Sequence, residues 1–159
     1  MREILFRGKR VNNGEWVEGG IIPLDTDSGY VFIAEPYLLA SSLPVYEIIK
    51  HHTHLVDPET VGQYTGLTDK NGKKIFEGDI ISERPPMNQI AYIGYVSYDE
   101  ELAVWRFMIK NDTKFNVVLL GTYSRSYTVI GNIYDNPELM RATGSDEGNA
   151  ASNTLQSAT

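Results

Sequence analysis

Cysteine is absent from the 159 residues. Disulfides, thiolate nucleophiles and Cys-based zinc sites are therefore excluded, and the chain suits a reducing compartment. Long apolar runs are missing too. The longest, such as Val117-Val118-Leu119-Leu120, are far too short to cross a bilayer. The N-terminal stretch Met1-Arg2-Glu3-Ile4-Leu5-Phe6-Arg7 has no apolar signal-peptide core, so a cytoplasmic location without a membrane partner is expected. There is no Gly-x-x-x-x-Gly-Lys-Ser/Thr loop, no Gly-x-Gly-x-x-Gly and no His-Glu-x-x-His. Positive charge is in deficit: the net charge is −7, with 5 Lys+Arg against 9 Asp+Glu in residues 1–60, 8 against 10 in residues 61–140, and 1 against 2 beyond. Phosphate neutralisation needs Lys and Arg, so this balance disfavours a nucleic-acid partner.

What is present is a globular composition, 42% hydrophobic and 22% charged, long enough to bury a core unaided. The stretch Gly62–Ile81 organises the chain. Asp69-Lys70-Asn71-Gly72 is a strong turn signal, because Asn-Gly accepts positive φ. Glu77-Gly78-Asp79 is a second turn, and Gly62 and Gly66 mark further backbone punctuation. Before this stretch, Ile4–Arg10 and Glu15–Gly19 read as a hairpin around Asn12-Asn13-Gly14. Arg7, Lys9 and Arg10 are expected to pair across it with Glu15 and Glu18. Tyr30–Ala34 is a further strand, and Val45–Lys50 fits either strand or helix. Asp57-Pro58-Glu59 opens a short helix. From Asp79 onward the pattern is β: Asp79–Glu83, Ile90–Tyr98 with a bulge at Gly94, Ala103–Lys110, Phe115–Leu120 and Thr128–Ile133. Asn136-Pro137-Glu138 opens another short helix. The expected fold is mainly β with a minor α component. An N-terminal β-hairpin lobe with a short helix (1–61) leads through a junction (62–81) to a small SH3-like or other β-barrel lobe (79–140). A tail over 141–159, poor in large apolar residues, is expected to be disordered.

Chemistry-bearing residues are few. His51, His52 and His54 are all the histidines. On a strand His52 and His54 share a face suited to a metal, but no carboxylate stands at an obvious ligand spacing, and strand pairing is the preferred reading. Asp69, Glu77 and Asp79 could serve acid–base or magnesium chemistry; turn-building through side-chain bonds to backbone N–H groups explains them better. Lys70, Lys73 and Lys74 form the one dense basic spot and the candidate nucleic-acid contact. Tyr64 is expected to be buried. Tyr92, Tyr95, Tyr98, Trp105 and Phe107 fall on the later strands, where exposed aromatics would suit a base-stacking face or a protein interface. The acidic balance favours the interface.

Four pieces carry a family resemblance: Ile4-Leu5-Phe6-Arg7-Gly8-Lys9; Asp57 through Leu67; Asp69-Lys70-Asn71-Gly72-Lys73-Lys74-Ile75-Phe76-Glu77-Gly78-Asp79-Ile80; and Val129 through Leu139. In this order the chain resembles the YopX-like family of phage and prophage proteins. The resemblance implies a phage or prophage origin and a mostly β fold with a barrel-like portion, and it supplies no catalytic residues. No cofactor or metal is expected. The function expected is a non-enzymatic accessory protein in the host cytoplasm that binds a protein, from host or phage, or assembles with itself as a homo-oligomer. The second reading is a small-barrel nucleic-acid binder.

Overall fold

Apolar residues alternating with polar ones build two antiparallel sheets. The protein was analysed as a computed structural model, which describes residues 3–22, 29–35, 42, 44–84, 91–110, 115–121 and 126–141. The first sheet holds β1 (Phe6–Lys9), β2 (Trp16–Ile22), β3 (Val31–Ala34), β4 (Thr53–Val56), β5 (Gly62–Thr68) and β6 (Lys74–Phe76), in the order β4-β3-β2-β1-β5-β6. The second holds β7 (Asp79–Glu83), β8 (Tyr92–Asp99), β9 (Val104–Lys110), β10 (Phe115–Leu119) and β11 (Tyr127–Asn132), in the order β10-β9-β8-β7-β11. This is a four-strand meander whose last strand returns beside the first, the order of SH3-like barrels. The mainly β expectation is met. The tail beyond residue 141 lies outside the described residues.

The first sheet curls on itself. Arg10 bridges Val56, Val11 N–H donates to the Leu55 carbonyl at 3.1 Å, and Asp57 N–H donates to the Lys9 carbonyl at 2.8 Å. β4 therefore meets β1 as well as β3, and Val17, Ile33 and Val56 fill the interior. Each such side chain contributes about 1.5–3 kcal/mol on burial. The second core gathers Ile81, Val96, Phe107, Ile109 and Tyr127, and Ile75 from β6 of the first sheet joins it. Leu5, Tyr64 and Phe76 form a third cluster, so Tyr64 is buried as expected.

Two local expectations become specific and one is overturned. Val45–Lys50 is helical: α1 runs Val45–His52, with Glu47 in its first turn and Lys50, His51 and His52 in its last, the charge order that suits the helix dipole. His51 and His52 thus end a helix, and the strand begins only at Thr53. The helix opened by Asp57 is a single 3₁₀ turn, Pro58–Thr60, capped by the Asp57 carboxylate on Glu59 N–H at 3.1 Å. Gly94 is not a bulge, since the β7–β8 register is continuous through it. A Cβ there would stand 2.2 Å from the Met108 carbonyl oxygen and 2.7 Å from the Phe107 ring, so glycine allows a close backbone approach. The register break lies instead in β11, between Val129 and Gly131.

Candidate functional site

The four sequence pieces converge where β1 meets the Glu77-Gly78-Asp79 turn. Arg7 is buried and reaches Asp79 Oδ1 from Nη2 at 2.6 Å. Its guanidinium lies 4.8 Å from the Trp16 ring centre and 4.9 Å from that of Phe76, a stacked geometry suited to Arg. Nη2 also donates to the Glu77 carbonyl at 3.3 Å. Asp79 Oδ2 accepts Phe76 N–H at 2.8 Å. Burial pushes the Asp79 carboxyl above its ordinary pKa, outweighing Arg7 and the Phe76 N–H. Gly78, at φ +79°, donates its N–H to the Val96 carbonyl and accepts Ile133 N–H, both at 2.9 Å. Gly62 packs so tightly that a Cβ would meet the Glu77 carbonyl oxygen at 2.6 Å.

The final sequence piece closes this junction from outside. Asp135 accepts Lys9 Nζ at 2.6 Å, Trp16 Nε1 at 2.7 Å and Asn132 Nδ2 at 2.9 Å. The Asn132 amide, then Lys9, hold its carboxyl down at about 2. Cross-strand pairing of Arg7, Lys9 and Arg10 with Glu15 and Glu18 is therefore mostly overturned. Arg7 lies opposite Glu18 in register yet turns to Asp79, and Lys9 turns to Asp135. Arg10 alone reaches Glu15, at 3.7 Å, while also lying 3.5 Å from Glu35. The buried Asp79 and the multiply bonded Asp135 are stronger partners than the exposed Glu15 and Glu18.

Asp69 is buried at the β5–β6 tip. Oδ1 accepts Asn71 N–H at 2.8 Å and Lys73 N–H at 3.0 Å, while Oδ2 accepts Val129 N–H at 3.1 Å. Burial pushes its pKa up, but the N–H groups of Val129, Lys73 and Asn71 together outweigh it and hold the carboxyl low. The tip is thereby tied to β11, helped by Lys70 N–H on the Tyr127 carbonyl at 3.0 Å. Gly72 sits at φ +83° in the turn and Gly66 at φ +86° within β5. Lys70 and Lys73 are exposed. Lys74 is drawn away from them, 3.3 Å from Glu3, 4.0 Å from Glu18 and over the Tyr64 ring. The basic spot is thus split.

The histidines meet a carboxylate that spacing did not reveal. His54 Nε2 lies 2.9 Å from Glu35 Oε1, and His52 Nδ1 lies 3.8 Å from Oε2. The His54 hydrogen bond is the main cause that holds Glu35 below its ordinary pKa. Arg10 Nη2 stands 3.2 Å from His54 Nε2. A fixed guanidinium at that distance opposes a metal cation, and no group of three metal-ligating side chains occurs among the described residues. His51 pairs with Glu47 at 3.3 Å. Nearby, a groove of about 480 Å³ is lined by Lys9, Arg10, Val11, Tyr30, Leu55 and Asp57, among others. Its cations are engaged with Asp135 and Glu35.

The aromatics do not form a stacking platform. Phe107 is buried and packs edge-on to Tyr127; Tyr92 and Trp105 lie on the same core, and Tyr98 meets Trp105 edge-on with ring centres 4.9 Å apart. Exposed apolar residues are spread over the surface, Ile4, Val11, Tyr30, Tyr46 and Leu102 among them, and two, Val117 (49% exposed) and Leu119 (54%), share β10, an end strand of its sheet. Across the ladder Val117 lies opposite Met108, which lies opposite Tyr95; both are half-buried. The sequence shows that this strand carries no charge, but its end position comes only from the sheet.

Two antiparallel sheets locked by a buried Arg–Asp pair define a mainly β protein whose marked residues hold the fold together. The chain belongs to the YopX family: the profile of the YopX protein matches residues 5–141, the span in which the four pieces fall. It is also similar to a solved structure, the crystal structure of protein EF1440 from Enterococcus faecalis. The identity is 24%, the TM-score 0.45, and the match covers 88% of this chain and 99% of that one. No curated protein matches the chain. Among the described residues no helix is long and apolar enough to cross a membrane.

Proposed function

We propose that this YopX-family chain is a phage or prophage accessory protein that acts in the host cytoplasm without catalysis, by binding a protein partner or a second copy of itself. The observation that carries this reading is the uncharged end strand β10, with Val117 and Leu119 about half exposed. Exposed apolar residues sharing one strand suit the apolar part of a protein interface. The engagement of the other candidates adds support. Asp79 serves Arg7 and Phe76, Asp69 serves three backbone N–H groups, and Glu35 serves His54 and Arg10. Among the described residues each of these carboxylates is thus engaged in holding neighbouring backbone or cationic groups. The second reading, a nucleic-acid binder, rests on exposed Lys70 and Lys73 alone.

The test compares wild type with V117K for retention of proteins from host lysate and for mass by light scattering. The reading expects self-association or a captured partner, and expects V117K to lose it while its circular dichroism is unchanged. A wild-type monomer whose lysate profile matches that of V117K contradicts it.

A further inference from the structure

We propose that His54 is a proton-operated clasp on the seam where β1 meets β4: uncharged, it holds Arg10; protonated, it releases Arg10 and takes Glu35. The inference is independent of the protein-binding reading.

The seam is closed by a few bonds around Arg10. Arg10 bridges Val56, Val11 N–H donates to the Leu55 carbonyl at 3.1 Å, and Asp57 N–H donates to the Lys9 carbonyl at 2.8 Å. The side chains of Arg10, Glu35 and His54 are each about three-quarters buried or more, so solvent screens their charges only in part.

Arg10 needs an acceptor, because a guanidinium has five N–H donors and no acceptor of its own. Its Nε is buried without a hydrogen-bond partner. Glu35 Oε1 at 3.5 Å and Glu15 Oε2 at 3.7 Å are at ion-pair range, too long for good hydrogen bonds. The nearest acceptor is His54 Nε2, 3.2 Å from Nη2. That contact requires a lone pair on Nε2.

The same nitrogen lies 2.9 Å from Glu35 Oε1. That contact requires a proton on Nε2, since a carboxylate only accepts. One nitrogen cannot serve both. With the proton of the uncharged ring on Nδ1, Nε2 accepts from Arg10, and the guanidinium charge holds Glu35. Protonation puts an N–H where the lone pair was. Nε2 then donates to Glu35, and the imidazolium repels the guanidinium beside it. His52, with Nδ1 3.8 Å from Glu35 Oε2, brings a second such charge, so three cations crowd one carboxylate. Arg10 has the exposed Glu15 to turn to. The remaining histidine, His51, is paired with Glu47 within α1, and residues 36–41, which follow Glu35, contain no charged side chain. Histidine is the side chain suited to such a change between pH 5 and 8.

The test reads the ring nitrogens and the seam together. Full-length protein, isotope-labelled on the histidine nitrogens, is followed by NMR from about pH 8 to about pH 5. Hydrogen-exchange protection of the Val11 and Asp57 amides is measured at the same points and corrected for the intrinsic pH dependence of exchange. His54 Nε2 is expected to lack a proton at the upper end and to gain one on acidification. Protection of the two amides is expected to fall by about tenfold or more, the effect of losing a hydrogen bond to a charged group. H54Q offers a donor and an acceptor but takes up no proton, and its protection is expected to stay level. A proton on Nε2 throughout, level protection in wild type, or a fall in H54Q equal to that of wild type overturns the clasp. The nitrogen reading needs no variant, so it decides the matter even if H54Q fails to fold.

Discussion

Arg7 Nη2 and Asp79 Oδ1 lie 2.6 Å apart with both side chains buried, joining β1 of the first sheet to β7 of the second. Removing one member of a buried pair strands the other charge, at a cost of about 3–5 kcal/mol. D79A is therefore expected to lose about that much in chemical denaturation. The double variant R7M/D79L should be less destabilised than its single changes predict together. A loss below about 1 kcal/mol for D79A, the worth of a surface pair, contradicts this role.

Asp135 sets an acid limb. Its folded pKa of about 2 lies below its ordinary 3.8, so the folded state holds fewer protons than the unfolded one. The stability it contributes is present above about 3.8 and is lost as pH falls through about 2. Denaturation of wild type and D135N across that window should show the difference between them shrinking as pH falls. A difference that stays constant contradicts the Lys9–Trp16–Asn132 cluster as its source.

Gly94 is set by the approach of Met108 and Phe107 rather than by a bulge. G94A is expected to destabilise by about 1–3 kcal/mol through overpacking. A neutral effect in thermal denaturation contradicts the close contact.

For the basic tip, the split of Lys74 from Lys70 and Lys73 predicts no salt-sensitive DNA or RNA binding. Mobility shifts at low salt should show none. A shift that weakens in K70A/K73A reinstates the nucleic-acid reading.

Local signals and long-range pairing were unequally legible. Asp79–Glu83 is legible in the sequence with the boundaries observed, because the Glu77-Gly78-Asp79 turn followed by Ile80-Ile81 defines it. The Asp57 cap and the Asn71-Gly72 turn were readable for the same reason. Helix α1 was ambiguous since Val45, Ile48 and Ile49 are β-branched and Pro44 offers no side-chain cap. Arg7–Asp79 spans 72 positions and Glu35–His54 spans 19, and neither pairing has a local pattern. The curl of the first sheet through Arg10 and Val56 was hidden likewise. Edge position is a property of the whole sheet, so β10 could be read as a strand but not as the end one.

Light scattering of wild type against V117K over a wide concentration range tests the central claim most directly. With retention from host lysate run beside it, the account predicts that wild type either rises above the 17.9 kDa of the chain or retains a protein, and that V117K does neither. Identical mass curves together with identical lysate profiles would contradict a partner surface at Val117.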